Sequence, residues 1–278
     1  SRSSSSAARS KVFRLRSTVQ QRYIDSKMSP ILITNDGAIR IITLNRPEKR
    51  NALNDELIAA LKAALREADV DESVKCIVIR GAGKDFCSGA DLSALQKIAN
   101  ASHEENLEDA RSLGELYKLI RRVRQPVIAA VRGRALAGGF GLALACDLVF
   151  AHDDARFGFP EVKIGFVPAM VAAILRRNMS EKDAFATLTF GYEISANELR
   201  DRGIIEGTVH DEDFDAEIIA IAKQYEKLSA SAVQMTKRLL YDIDSVTFDE
   251  AIEHGAQGNA TARMTEDCQK GIATFLEK

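Results

Sequence analysis

The sequence lacks the features that mark several classes of protein. It contains no tryptophan, and its 278 residues carry a net charge of only -2. No apolar run approaches the roughly 20 residues of a membrane-spanning helix, so we expect no association with a membrane. The near balance of charge gives no general attraction to nucleic acid, so we do not expect RNA as a partner.

Cysteine and histidine are too few and too scattered to form a recognisable metal-binding pattern. Neither CxxC nor CxxH spacing occurs among them. The residues concerned are Cys76, Cys87, Cys146, Cys268, His103, His152, His210 and His254. We therefore expect reduced, buried thiols and no metal ion.

The first 27 residues differ in composition from the rest of the chain. They are rich in serine and arginine, and Asp25 is their only acidic residue. This composition fits a mitochondrial-type transit peptide, and it fits equally a vector-derived or mis-started extension ahead of Met28. The expected location is the cytoplasm, or the mitochondrial matrix if the leader is native.

Between residues 28 and 210, apolar strand-like segments alternate with helical patterns. Alternation of this kind predicts an α/β fold with right-handed crossovers. A helix is expected to begin after Asn54, with an apolar stripe at Leu57, Leu61 and Leu65. The expected strands cover residues 38–45, 74–81, 126–133 and 147–152.

From residue 211 to residue 278 only helical patterns remain. A terminal block of helices usually packs on the core of its own chain or on another subunit. The sequence therefore divides into a leader (1–27), an α/β core (28–210) and a helical region (211–278).

Two loops and one carboxylate are the candidates for chemistry. "CSGAD" (87–91) and "LAGGF" (136–140) each place glycine between a strand and a helix, where backbone N–H groups have no partner within the helix. Two converging N–H groups can bind an oxyanion, although tight connecting turns explain such spacing more often. Glu161 lies in the apolar stretch "RFGFPEVKIGFVP". Desolvation there should raise its pKa, unless the side chain is exposed.

Six segments of the sequence, taken together, resemble a known protein family. They are, in order, "LNRPEKRNAL", "FCSGADL", "PVIAAVRGRALAGGFGLALACDLVFA", "ARFGFPEVKIGFVP", "ISANELRDRGII" and "GIATFLEK". With them, the chain from about residue 31 to residue 278 resembles the crotonase (enoyl-CoA hydratase/isomerase) family. The resemblance implies a ClpP-like spiral of repeated ββα units, followed by C-terminal helices that build homotrimers or homohexamers. It also implies an acyl-CoA substrate, with no cofactor beyond the coenzyme A that the substrate carries.

The resemblance assigns roles to particular residues. The backbone N–H groups of Ala90 and Gly138 would hold the thioester oxygen while negative charge builds on it, and Glu161 would be the general acid/base. The residues implied for binding coenzyme A or the acyl group are Lys49, Arg50, Ala52, Ser88, Asp91, Leu92, Phe159 and Pro160.

One position departs from the pattern of the family's hydratases, which generally carry a second glutamate where this chain has Gly141. Either this glycine allows close packing against a neighbouring strand, or it leaves space for a substrate or water. A second carboxylate could come from Glu104, Glu105 or Glu115, although a solvated helix face is the expectation for these three.

Three functions remain open at this point. Hydration of an enoyl-CoA usually divides its proton transfers between two carboxylates, whereas moving a double bond from the 3,4 to the 2,3 position needs one base. Hydratase is the leading expectation, and double-bond isomerase is the alternative. A catalytically silent scaffold that binds CoA esters or RNA is the third.

Overall fold

The computed structural model describes residues 29–210 and 213–277, with the side chains of Leu92 and Leu95 excepted. The expected leader lies outside these residues. So do residues 211–212, at the expected start of the helical region.

The described strands form a six-stranded sheet and a three-stranded sheet. The large sheet has the order β1-β2-β3-β4-β6-β9, and the small one has the order β5-β7-β8. Their bounds are β1 (Ile31–Asp36), β2 (Ile39–Leu44), β3 (Cys76–Gly81), β4 (Val127–Val131), β5 (Arg134–Leu136), β6 (Leu148–His152), β7 (Arg156–Gly158), β8 (Glu193–Ser195) and β9 (Gly207–Val209). In the large sheet β1 is antiparallel to β2, and all other neighbours are parallel.

Eleven α-helices occur in the described residues. They are α1 (Asp55–Val70), α2 (Leu92–Ile98), α3 (His103–Arg122), α4 (Gly138–Ala145), α5 (Ala169–Asn178), α6 (Glu181–Phe190), α7 (Ala196–Asp201), α8 (Phe214–Ala222), α9 (Ala230–Asp242), α10 (Phe248–Arg263) and α11 (Glu266–Leu276). Short 3-10 helices cover Pro47–Lys49, Pro160–Ile164, Lys223–Lys227 and Ile243–Ser245.

The central strands are buried on both faces, as their continuous apolar sequences predict. In β3, Ile77 and Ile79 face the larger core, which also contains residues of α1 and α3. Cys76 and Val78 of the same strand face a smaller core, which α8 closes with Phe214. The sheet is thus a layer between two sets of helices.

The predicted start of α1 is confirmed. The Asn54 side chain accepts a hydrogen bond of 3.0 Å from the backbone N–H of Leu57, which caps the helix. Leu57, Leu61 and Leu65 are fully buried, so the apolar stripe holds α1 against the sheet.

The chain after residue 213 is helical, as predicted. Helices α10 and α11 have no buried residue, and they expose large apolar side chains such as Phe248 and Phe275. No helix among the described residues has both the length and the apolar character needed to span a bilayer.

Candidate active site

A cavity of about 280 Å³ opens between the start of α1, helices α2 and α3, and the 3-10 helix Pro160–Ile164. Its wall is largely apolar, with contributions from Leu113, Val167 and Met170. Ala90, Gly138 and Glu161 line the same cavity. A mostly apolar pocket with a few convergent polar groups is the usual form of a small-molecule site.

Register in the small sheet explains why these three residues meet. Cys87 forms a parallel bridge with Ala135, and Ala135 pairs with Phe157 in the parallel ladder between β5 and β7. Parallel segments in register emerge at the same edge of a sheet, so the residues that follow them come together. Ala90 follows Cys87 by three positions, and Gly138 follows Ala135 by three. Glu161 follows Phe157 by four.

The backbone around Ala90 directs the Ala90 N–H group away from the segment at Leu53 with which it pairs. Leu53 donates to the carbonyl of Gly89 at 2.7 Å and accepts from the N–H of Asp91 at 2.9 Å. In this parallel bridge the intervening residue, Ala90, directs its own N–H to the opposite side. Ala90 is exposed, and its N–H has no acceptor among the described residues.

Gly138 presents the second N–H as the first residue of α4. An N-terminal helical N–H has no intrahelical acceptor and lies at the positive end of the helix dipole. Ala137, just before it, has φ 52° and ψ -127°, an unusual conformation for a residue with a side chain. A Cβ built on Gly89 would lie 3.6 Å from the Gly138 nitrogen, so the two loops are in close contact.

Glu161 lies in the first turn of the 3-10 helix, directly after Pro160. Its carboxylate is partly buried, and Oε2 has no hydrogen-bond partner among the described residues. Desolvation raises the pKa of this carboxyl group above its ordinary value. The predicted direction of the pKa shift is confirmed. The side chain is partly buried and not exposed as in the alternative, although Phe157 and Phe159 are turned inward as that alternative expects.

The surroundings of Gly141 decide between the two interpretations of this glycine. A Cβ built on it would lie 2.4 Å from Cγ1 of Val171 and 2.6 Å from the hydroxyl oxygen of Tyr117. Both distances are shorter than real contacts allow, so the glycine permits close packing. The packing partners are Val171 of α5 and Tyr117 of α3, and not a strand as the first interpretation has it. They occupy the space that the second interpretation leaves for a substrate or water.

Comparison with known proteins now identifies the family. The family model described as "Enoyl-CoA hydratase/isomerase" matches residues 34–278. The chain belongs to this family. A "Putative enoyl-CoA hydratase" of Thermus thermophilus is 37% identical over 242 residues, covering 87% of this chain and 96% of that protein. The "2,3-dehydroadipyl-CoA hydratase" of Escherichia coli is 32% identical over 253 residues, covering 90% and 97%.

Solved structures agree with the family assignment. A crystal structure of an enoyl-CoA hydratase from Mycobacterium smegmatis superposes with a TM-score of 0.85 at 32% identity, covering 89% of this chain and 96% of that chain. The chain therefore has the crotonase fold. Its repeating unit is a strand of the large sheet, a short strand of the small sheet and a helix, as in β4-β5-α4.

Some residues expected to bind coenzyme A or the acyl group lie at the cavity of this enoyl-CoA hydratase/isomerase family member. Ser88 and Pro160 line its wall. Lys49 and Arg50 are exposed on the 3-10 turn outside it, and the Arg50 carbonyl accepts from the Ser88 N–H at 3.0 Å. Leu92 begins α2, and its side chain lies outside the described part of the structure.

Three other expected binding residues point into the protein and do not line the cavity. Phe159 is fully buried, with its ring stacked on Phe140 at a centroid distance of 4.8 Å. Ala52 is buried, and its carbonyl accepts from Arg46 at 2.5 Å. The Asp91 carboxylate is engaged by Arg46 at 2.7 Å and by the backbone N–H of Ser93 at 3.0 Å. These contacts order the loops beside the cavity, and the expectation that the three residues bind coenzyme A or the acyl group stays a prediction.

The carboxylates considered as replacements for a second glutamate are exposed on α3. Glu105 belongs to the capping box with Ser102, and Glu115 pairs with Lys118 at 2.7 Å. Together with Glu104 they form a solvated helix face, as expected.

Sequence reasoning missed the face of α3 that does line the cavity, which carries Asp109, Leu113 and Tyr117. The sequence does show that these residues are spaced four apart, which places them on one side of a helix. It does not indicate whether that side faces a core or a cavity.

Proposed function

We propose that this protein hydrates the 2,3 double bond of an enoyl-CoA thioester, with an enolate as intermediate. The observation that carries the proposal is the arrangement around one cavity. The partly buried Glu161 lines this cavity together with Ala90 and Gly138, whose N–H groups have no acceptor in their own loop or helix. A base and a pair of donors in an apolar pocket suit a reaction that builds negative charge on a carbonyl oxygen.

The two N–H groups would bind the thioester oxygen as it becomes negative. Donors that are already oriented in the free protein stabilise this charge without rearranging. The positive end of the α4 dipole adds to the effect at Gly138. Each such donor typically contributes about 3 kcal/mol to binding of the transition state.

Glu161 would carry out both proton transfers. As the water oxygen bonds to C3, Glu161 takes a proton from the water, and the double-bond electrons move through C2 onto the thioester oxygen. The protonated Glu161 then delivers this proton to C2 as the carbonyl re-forms. The net change is addition of H at C2 and OH at C3, and the carboxylate is regenerated.

Double-bond isomerisation is the second candidate, and the filled space at Gly141 favours it. Val171 and Tyr117 occupy the volume where a second acidic side chain would begin. A lone Glu161 can remove a proton from C2 of a 3-enoyl-CoA and return it at C4, and no water takes part.

Coenzyme A binding and assembly complete the proposal. The exposed cations Lys49 and Arg50 would lie near the phosphates of coenzyme A, since their turn is hydrogen-bonded to Ser88 at the cavity. The exposed apolar side chains of α10 and α11 support packing against other copies in a homotrimer or homohexamer.

Product masses test the reaction. Incubation with a 2-enoyl-CoA should add the mass of one water, whereas a 3-enoyl-CoA converted without change of mass to a conjugated product indicates isomerisation. Glu161→Gln should lower either rate by roughly 100- to 10,000-fold, because the amide cannot accept the proton.

Glu206→Gln is the matched control. Glu206 is the other glutamate among the described residues whose pKa is raised by desolvation, and it accepts from the backbone N–H of Val149, away from the cavity. This variant should keep the wild-type rate. Full activity in Glu161→Gln would overturn the assignment of the base.

A further inference from the structure

Tyr117 and Val171 occupy the volume next to Gly141, and Tyr117 is the one with a polar group. It projects from α3, borders the cavity and is almost completely buried, with 5% of its surface exposed. Its hydroxyl oxygen lies 2.6 Å from the Cβ position of Gly141 and 3.5 Å from that of Gly138. The phenol oxygen therefore lies over the first turn of α4, where the second glutamate of the family's hydratases would begin.

The hydrogen bonds of the Tyr117 hydroxyl determine what it can do in the site. It donates to the carbonyl of Gly138 at 2.8 Å, which uses its single proton. Its oxygen receives no hydrogen bond from any described residue, so it can accept one. Burial raises the pKa of the phenol, and the charge of Glu161 adds to the increase, so the hydroxyl keeps its proton at working pH.

We propose that Tyr117 orients the attacking water for hydration and so replaces the second carboxylate as a binding group, but not as a base. This inference rests on the proposed function. A water between the two side chains would donate one O–H to Glu161 and the other to the Tyr117 oxygen. Its lone pair is then directed at C3, while Glu161 alone takes a proton and later returns it to C2.

Other polar side chains along the cavity are less suited to this role. Asp109 lies eight residues before Tyr117 on α3, which places it about 12 Å away along the helix axis. Asp55 is exposed at the start of α1 and pairs with Lys97 at 3.0 Å. Neither has an atom among those nearest to the Cβ positions of Gly138 and Gly141 in α4.

The test compares a reaction that needs water with one that does not. Tyr117→Phe keeps the ring and removes the oxygen. Hydration is followed with the trans-2-enoyl-CoA, from four to ten carbons, that the wild-type protein turns over fastest. Exchange of the C2 hydrogen is followed by mass in D₂O with a 3-enoyl-CoA of the same length, because this step needs only Glu161 and the N–H groups.

We expect Tyr117→Phe to lower kcat for hydration by about 10- to 100-fold, the effect of one hydrogen bond in the transition state. C2 exchange should stay within about threefold of wild type, because the ground-state site is retained. Tyr241→Phe is the matched control. It removes the hydroxyl of a partly buried tyrosine that lies away from the cavity and donates to Asp147 at 2.7 Å, and both rates should be unchanged.

Two results would overturn the proposed role of Tyr117 and leave the proposed hydratase function intact. Equal loss of hydration and exchange would mean that Tyr117 acts only by holding Gly138, and unchanged hydration would mean that it has no role. A wild-type protein that exchanges C2 hydrogen but adds no water overturns the inference together with the hydratase proposal, and leaves isomerisation. Melting temperatures of both tyrosine variants confirm that the compared proteins are folded.

Discussion

At the scale of single residues, the ionisation of Glu161 controls the proposed chemistry. The carboxyl group must be charged to accept a proton, and its partial burial disfavours the charged form. The same burial raises the affinity of the carboxylate for a proton, which makes it a stronger base than an exposed glutamate.

The pH dependence of the reaction should show this shift. Because the desolvated carboxylate protonates at a higher pH than an ordinary glutamate, kcat/KM should fall as pH decreases through a value above 4.5. A pH profile of kcat/KM for the preferred enoyl-CoA measures it. Glu206→Gln should give the same profile, and an inflection at or below the ordinary value would contradict the effect of burial.

Part of the site could be predicted from single residues and their neighbours. The apolar stretch around Glu161 and the two glycine loops stand out in the sequence, but the family resemblance is what assigns roles to Glu161 and to the N–H groups of Ala90 and Gly138. Tyr117 could not be found in this way. It meets Gly141 only because α3 and α4 pack together, and no local pattern in the sequence carries that contact.

At the scale of secondary-structure elements, strand prediction depended on burial. Strands β3 and β4 are continuous apolar runs buried on both faces, and both were predicted. Strand β1 was missed because it is an edge strand that exposes most of its side chains. The three-residue strands β5 and β7 were also missed, since their pairing depends on distant segments.

The close contact of α4 with α3 and α5 predicts that adding a methyl group at Gly141 lowers the stability of the protein. Gly141→Ala should destabilise the protein by about 1–3 kcal/mol, because the new Cβ would overlap Val171 and Tyr117. Chemical denaturation with urea measures the change in the free energy of unfolding.

Gly114→Ala in α3 provides the comparison, because its Cβ would lie 3.6 Å from Sδ of Met170, an ordinary contact. This substitution should stabilise the protein by up to about 1 kcal/mol, the usual preference for alanine over glycine inside a helix. If Gly141→Ala were equally stabilising, the close packing at α4 would be refuted.

At the scale of the whole molecule, Lys237 connects the helical region to the α/β core. Its Nζ pairs with Asp147 at 2.7 Å and donates to the carbonyls of Ile120 at 3.0 Å and Gln125 at 2.8 Å. Burial lowers the pKa of this lysine, and the neighbouring Asp147 opposes the shift. Helix α9 is thereby fixed to the end of α3 and the start of β6.

Replacing this lysine should weaken the whole fold. Lys237→Met leaves the Asp147 carboxylate and two carbonyls without their cation, which should cost about 3 kcal/mol in the free energy of unfolding. Lys227→Met, at an exposed position, should change it by less than about 0.5 kcal/mol. Thermal unfolding compares the two variants, and equal melting temperatures would show that the buried pair does not stabilise the helical region.

The partial burial of Glu161 also affects where a hydrogen atom travels. On the isomerisation route, the hydrogen removed from C2 resides on a carboxyl group that bulk solvent reaches only in part. A deuterium label placed at C2 would therefore be carried in part to C4 of the same molecule, and the remainder would exchange with solvent. Since a single carboxyl group serves both carbons, the migration is confined to one face of the acyl chain.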